Sequence, residues 1–331
     1  TGKPARRETN TIPNWAGSCW YYLRFLDPRN ARAAWDPSKE KYWMPVDLYV
    51  GGSEHAVLHL LYARFWHKVL FDLGFVSTKE PFKRLFHQGM ILGENGEKMS
   101  KSRGNVISVD TVLSEHGADV LRLFEMFLGP VEVVKPWNTR GIEGVRRFVN
   151  KVWRLLVDTR TDETRTLATV PLPPDLDRLL HQTIRKVTEG IEGMRFNTGI
   201  AQMMTFVNRL GQEERPPRAA VETLALLLAP IAPHLGEEMW ERLGHEGGVM
   251  CAPWPSFDPA RAREEGVEVV VQVNGKVRDQ MEVPLGTSRE ELEARSRGLP
   301  KVQAYLAAGR VAKVVVVPDR LVNFVVAGWG A

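Results

Sequence analysis

A strand that runs into a glycine pair and straight on into a helix constrains this chain most. Asp47-Leu-Tyr-Val-Gly-Gly reads as a short buried strand closed by a Gly-Gly turn. From Glu54 to Leu73 the residues Val57, Leu60, Leu61, Phe65, Val69 and Leu70 recur at helical spacing. Residues 1 to about 105 therefore read as α/β. Glycines at such a turn let a flat ligand approach the backbone, and the helix start offers a positive dipole end. Gly51 and Gly52 also suit a plain turn. Glu54 suits either both hydroxyls of a ribose or a simple helix N-terminal charge.

The rest of the chain changes period twice. Residues 106–139 read as a short connecting region, with Ser108-Val-Asp-Thr at a helix start and a second helix over Val120–Phe127. Residues 140–258 carry helical patterning: Arg140–Val157, a helix from near Asp175, Phe196–Leu210, Pro217–Leu228 and Gly236–Leu243. A charged linker follows at Arg261–Glu265. Val267–Val273, Asn274-Gly275 and Lys276–Val283 predict a hairpin. Ser288 and Glu291 have capping-box spacing for a helix over 288–296. A second helix over 301–308 and strands at Val311–Val317 and Leu321–Val326 complete a small α+β domain at 266–331.

Lys98-Met-Ser-Lys-Ser needs a different explanation. It follows Phe86–Leu92, a second strand candidate, and glycines flank it at Gly93, Gly96 and Gly104. No core strand or amphipathic helix needs this pattern, and the glycines mark a loop able to hinge. Two ammonium groups on such a loop suit a substrate with several phosphates. In adenylate formation a carboxylate joins the α-phosphate of ATP and pyrophosphate leaves. Cations aimed at that developing charge lower the barrier. Lys98 and Lys101 fit this catalytic and ATP-binding role, Lys101 most directly, while Ser100 and Ser102 add hydrogen bonds or shape the turn.

His55 and His59, four apart, share a helix face. That spacing could serve a metal, but a third ligand at a fitting spacing is missing. A wall for a substrate side chain fits His59, as does a satisfied buried histidine. Met90 could pack on an adenine ring or belong to strand core.

Composition narrows the class. The 331 residues carry a net charge of +4, compatible with a polyanionic partner without requiring one. Two distant cysteines, Cys19 and Cys251, exclude a disulfide framework or a four-cysteine zinc site within the chain, and a reducing cytosol is the expected compartment. The apolar run around Leu224–Ala232 is too short for a bilayer, and Thr1–Asn10 is too polar for a signal peptide. An opening at Thr1, without Met, suggests a piece of a longer protein.

Several segments resemble the bacterial leucyl-tRNA synthetases, a family of class I aminoacyl-tRNA synthetases. They begin at Trp15 (Trp-Ala-Gly-Ser-Cys-Trp-Tyr-Tyr-Leu-Arg-Phe), Tyr49 (Tyr-Val-Gly-Gly-Ser-Glu-His-Ala-Val-Leu-His) and His87 (through Lys98-Met-Ser-Lys-Ser to Val106). Phe196-Asn-Thr and Leu228-Ala-Pro-Ile-Ala-Pro-His-Leu-Gly-Glu-Glu-Met-Trp are similar to that family's anticodon-binding bundle. Val271-Gln-Val-Asn-Gly-Lys-Val-Arg is similar to its small C-terminal domain.

The resemblance implies the second half of a Rossmann-like nucleotide-binding catalytic domain over 1–105, then a stem-contact region at 106–139. An α-helical anticodon-binding domain and a tRNA-binding α+β domain would follow. Gly51, Gly52, Glu54 and Met90 would meet ATP, and His59 the leucine side chain. Arg140, Arg147, Lys151, Lys276, Arg278, Lys313 and Arg320 would touch phosphates of tRNA(Leu). ATP would enter with Mg2+, without zinc, in a cytoplasmic enzyme.

The family's second signature, His-Ile-Gly-His, has no counterpart here. His234-Leu-Gly-Glu imitates it, but its apolar helical context reads as bundle core. Half of the ATP site and the editing domain would therefore lie in a missing N-terminal half, on the same chain or a separate subunit. An exposed sheet edge and a partly bare core follow for residues 1–105, hence poor solubility or a partner. Two alternatives stay open: a non-catalytic tRNA-binding module derived from a synthetase, and a synthetase for valine or isoleucine.

Overall fold

A computed structural model describes residues 16–263 and 266–328, together with residues 4, 6 and 9. Trp15, the Glu265 end of the charged linker and residues 329–331 lie outside the described residues. Two compact units are formed, one by residues 1–176 and 183–256, the other by 177–182 and 257–331.

The first unit opens with short helices α1 (Tyr21–Arg24) and α2 (Pro37–Trp43). Strand β1 (Tyr49–Gly52) follows, then a 3-10 turn at Ser53–Val57 and helix α3 (His59–Asp72). The helix expected from Glu54 thus starts at His59. Leu58, with φ −113° and ψ −108°, breaks it from the turn before.

Strand β2 (Leu85–Gln88) pairs with β1 in parallel, Gly51 opposite His87 and Gly52 opposite Gln88. The single strand expected over Phe86–Leu92 is interrupted at Gly89 and Met90, and resumes as β3 (Ile91–Leu92). A Cβ on Gly89 would come within 2.3 Å of the Val133 backbone, so only glycine fits where the chain changes partners. β3 pairs in parallel with β4 (Lys135–Pro136).

Tyr22, Leu23, Trp35, Met44, Ala63 and Val76 form the core of this α/β part. Val57 of the 3-10 turn and the face of α3 carrying Leu61 and Phe65 do not join it. These residues are 73%, 58% and 64% exposed, and α3 buries Ala63 and His67 instead. Phe25, Trp43, Leu73 and Phe75 are also exposed. The bare core expected for residues 1–105 is therefore present as an open apolar face.

Helices α4 (Val109–His116) and α5 (Ala118–Phe127) follow. Ser108 takes the N-cap position of α4 without a side-chain bond. The basic helix α6 (Thr139–Leu156) is capped by Asn138 Oδ1 and buries Ile142, Val145, Phe148, Val152 and Leu155. A two-stranded ribbon, β5 (Val157–Asp158) and β6 (Glu163–Thr164), leads on to α7 (Pro174–Glu192). Helices α8 (Phe196–Leu210), α9 (Arg218–Leu228) and α10 (Pro233–Arg242) complete the bundle. Leu235 and Gly236 pack inside it, but His234 is 77% exposed, which corrects its assignment to the core.

The second unit contains a four-stranded sheet in the order β8-β7-β10-β9. β7 (Gly266–Val273) and β8 (Lys276–Pro284) form the expected hairpin, with Asn274 at φ 50° and Gly275 at φ 75°. Both positive angles belong to a type I′ turn, which explains Asn-Gly. Helices α11 (Arg289–Gly298) and α12 (Pro300–Leu306) precede β9 (Arg310–Val317) and β10 (Leu321–Ala327). Ser288 Oγ accepts from Glu291 N, one half of the capping box, while the Glu291 carboxylate pairs with Arg295.

Candidate functional site

The carboxyl ends of parallel strands are where open α/β sheets bind ligands. There, beyond Gly52, lies a cavity of ≈ 400 Å³ walled by Gly51, Gly52, Glu54, His59, Tyr21 and Tyr49, among others. A Cβ on Gly51 would meet nothing within 4 Å, so a ligand has room to reach its backbone. A Cβ on Gly52 would lie 2.3 Å from Glu54 Oε2. Glycine at 52 therefore lets the Glu54 carboxylate fold back over the strand end.

One wall is a hydrogen-bonded chain. Tyr21 Oη and Tyr49 Oη are 2.6 Å apart, and Tyr49 Oη is 2.6 Å from His59 Nε2. Tyr49 stacks on Phe82 with ring centroids 3.9 Å apart. Burial, then the charge of His55, push the His59 imidazole below its usual range. Burial first, then the bond from Tyr21, push the Tyr49 hydroxyl up. Both stay neutral at pH 7, making a wall suited to an uncharged side chain.

Sequence reasoning did not single out Tyr21 and Tyr49. Their signal was present in part, since Tyr49 and Gly51 alternate onto one strand face. The satisfied buried histidine of α3 is His67, held by Tyr22 Oη at 3.0 Å and Thr78 O at 2.9 Å.

The loop after β3 is built around Asn105. Its Oδ1 accepts from Ser100 N at 2.9 Å, and its Nδ2 donates to Lys98 O at 3.3 Å. Ser100 Oγ and Ser102 Oγ are 2.6 Å apart, and Lys101–Arg103 closes into a 3-10 turn. Lys98 and Lys101 are exposed, and neither meets a carboxylate among the described residues. Met99 lines a smaller cavity, ≈ 170 Å³, with Ile107, Val112, Leu121, Glu125 and Trp137. Burial there raises the Glu125 carboxyl above its ordinary range. Lys98, Ser100, Lys101 and the exposed Met90 do not line the larger cavity.

The basic positions divide. Arg140, Arg147, Lys276, Lys313 and Arg320 are exposed, and the Lys151 ammonium donates to Asn208 Oδ1 at 2.8 Å. Arg278 is engaged within its own unit, its guanidinium 4.1 Å from the Tyr305 ring centroid. No cluster of three or more His, Cys, Asp or Glu fit to hold a metal occurs among the described residues. Nor is any helix among them long and apolar enough to cross a membrane.

Comparison with known proteins matches two segments of the chain. Residues 18–132, holding both the cavity and the lysine loop, match the family "tRNA synthetases class I (I, L, M and V)". Residues 175–294 match "Anticodon-binding domain of tRNA ligase". A leucine–tRNA ligase of Chlorobium phaeovibrioides is 58% identical over 98% of this chain, and one of Chlorobium phaeobacteroides 59% identical over 97%. The chain belongs to the leucine–tRNA ligase family.

It spans 40% of the length of these relatives and corresponds to a C-terminal portion of them. A solved ternary complex of Agrobacterium radiobacter K84 LeuRS with tRNA and LeuAMS superimposes with a TM-score of 0.68. That chain is 33% identical, over 95% of the present chain and 42% of its own. Helix α6 lies between the two matched segments.

Proposed function

We propose that this chain carries part of the machinery for ATP-dependent activation of leucine and its transfer to tRNA(Leu). In this reading the leucine carboxylate attacks the α-phosphate of ATP, which enters with Mg2+, and pyrophosphate leaves. Gly51 and Gly52 admit the adenosine, and Glu54 accepts its ribose hydroxyls. Neutral His59 forms the wall against the leucine side chain, and Met90 offers an apolar contact to the adenine. The Lys98 and Lys101 ammonium groups, assisted by Ser100, stabilise charge developing on the phosphates. Neither lysine is spent on a carboxylate, so both remain available for a ligand.

Residues 1–105 serve as the catalytic segment, 106–139 as the connection to the acceptor stem, 140–258 as the anticodon-binding bundle and 266–331 as a further tRNA-binding module. Arg140, Arg147, Lys151, Lys276 and Lys313 meet tRNA phosphates, in contacts that weaken with salt and read no sequence. Arg278 acts there through Tyr305, and the whole works in the cytoplasm.

The observation that carries this reading is the cavity at the carboxyl ends of β1 and β2, walled by Gly51, Gly52, Glu54 and His59. Those strands belong to the segment that also supplies Lys98 and Lys101, which meet no carboxylate among the described residues. The open apolar face of α3 supports a further element, an N-terminal half that completes the ATP site.

The test is ATP–pyrophosphate exchange with leucine, by this chain alone and with an N-terminal half supplied. Exchange only with both halves, lost with Lys101→Ala, is expected. Exchange by the chain alone overturns the requirement for a second half. No exchange in either setting, with tRNA still bound, favours a tRNA-binding module.

A further inference from the structure

A further cavity, ≈ 270 Å³, lies in the helical bundle, far along the chain from the glycine pair of β1. Its polar wall is cationic: Lys151 and Arg154 from α6, Arg165 just beyond β6, and the amide of Asn208 from α8. Leu155 and Val207 form its apolar floor, and no carboxylate lines it. Elsewhere in the bundle arginines are neutralised, as Arg209 is by Asp175 and Glu213, and Arg242 by Asp162 and Glu238. Lys151, Arg154 and Arg165 form no salt bridge among the described residues, although the Arg165 charge is felt by the Asp158 carboxylate.

Two of these cations are held in place without a ligand. The Arg165 guanidinium donates to Arg154 O at 2.9 Å and to Glu214 O at 3.4 Å. The Lys151 ammonium donates to Asn208 Oδ1 at 2.8 Å. Three like charges converging on one polar cavity repel one another, a repulsion that Asp158 offsets only at Arg165 and that an entering anion relieves. Positioning them beforehand lowers the ordering cost of binding. We infer that this cavity seats one phosphodiester group of an RNA backbone, with Arg154 and Arg165 as its ligands beside Lys151.

The surroundings favour a polymer phosphate over a free nucleotide. No aromatic side chain lines the cavity for a base to stack on. The charge also extends beyond it. Steps of seven, four and three residues keep Arg140, Arg147, Lys151 and Arg154 within about 60° of one another around α6. All four are exposed, so the cavity is the end of a cationic stripe that a single small anion would leave unused.

This inference rests on the RNA-binding reading above, and the experiment separates the two. Binding of a leucine tRNA transcript to the full chain is followed by fluorescence anisotropy across a salt series. Arg154→Gln is the main variant, because its guanidinium has no hydrogen-bond or ion-pair partner to lose among the described residues. It is expected to weaken binding roughly five- to tenfold and lower the salt slope by about one, for cognate and non-cognate tRNA alike. Arg154→Lys keeps the slope, and thermal melting of both variants matches wild type. Arg165→Gln weakens binding similarly, with some loss of stability.

Wild-type binding that is indifferent to Arg154→Gln overturns this inference and leaves the RNA-binding reading standing. Absence of wild-type binding overturns both. Inorganic phosphate is the second probe. Stabilisation of wild type, but not Arg154→Gln, by low-millimolar phosphate without any effect of Arg154→Gln on tRNA binding makes the cavity a free-anion site and overturns the phosphodiester assignment.

Discussion

Asp119, at the start of α5, caps helix α10 from across the bundle through His234. Its Oδ1 lies 2.9 Å from His234 Nδ1, and its Oδ2 accepts from Leu235 N at 2.6 Å. A carboxylate at a helix N-terminus satisfies orphan N–H groups and faces the positive dipole end. The contact ties the segment after the lysine loop to the helical bundle. Arg122, one turn along α5, adds a bond to Ile231 O at 2.9 Å.

Asp119→Ala is expected to destabilise the protein by about 1–2 kcal/mol, the usual cost of losing an N-cap. Urea denaturation measures it. An unchanged midpoint would show that water replaces the carboxylate at no cost.

The two glycines that end β1 are expected to respond differently. Gly51→Ala places its methyl in open space, so melting holds while nucleotide binding in the reconstituted enzyme drops at least tenfold. Gly52→Ala collides with the Glu54 carboxylate and must displace it. Nucleotide affinity therefore falls further, and the Glu54→Ala substitution added to Gly52→Ala costs little more. Independent, additive losses in the double variant would contradict this coupling.

Stability is expected to fall as pH drops below about 6.5. The folded pKa of His59 is below the ordinary imidazole value of 6.5, which describes the unfolded chain. Above that value both states are neutral, and the full stability is present. Below it the unfolded chain takes up a proton that the buried imidazole refuses, so unfolding is favoured progressively down to the folded pKa. His67 and His181, also depressed first by burial, act in the same direction. His59→Gln should flatten the stability–pH curve in part. NMR titration of the His59 ring above 6.5 would refute the sign.

Asn274 stitches the β7–β8 hairpin tip to β10. Its Oδ1 accepts from Val326 N at 2.8 Å, and its Nδ2 donates to Val326 O at 3.2 Å. Asn274→Gly keeps the positive φ but loses both bonds, at an expected cost of about 1–3 kcal/mol. Asn274→Ala adds backbone strain to that loss. Hydrogen exchange at the Val326 amide reads the local effect, and unchanged protection would remove Asn274 from this role.

Much of the local architecture was legible in the chain. Helix α8 begins and ends where its apolar period does, and Asn274-Gly275 announced its turn. Signals of this kind lie within a few neighbouring residues, and backbone geometry decides them. The lysine loop was legible too, since nothing structural needs Lys98 and Lys101 between glycines. The buried side of α3 was not. Its apolar stripe predicted burial of Leu61 and Phe65, whereas the structure buries Ala63 and His67. An amphipathic pattern says which face needs a partner, not whether this stretch of chain provides one.

The sequence by itself determined the order of elements, the glycine pair, which ends strand β1 rather than forming the turn itself, and the loop that presents two ammonium groups. Each follows from side-chain period or backbone freedom over short distances. Only the tertiary structure decided that Tyr21 and Tyr49 would lock His59, that Asp119 would cap a helix starting beyond residue 230, and that Arg165 would join Lys151 and Arg154 around one cavity. Those pairings depend on how distant elements pack. Such packing is set by the combined burial of many side chains, and no local pattern records it.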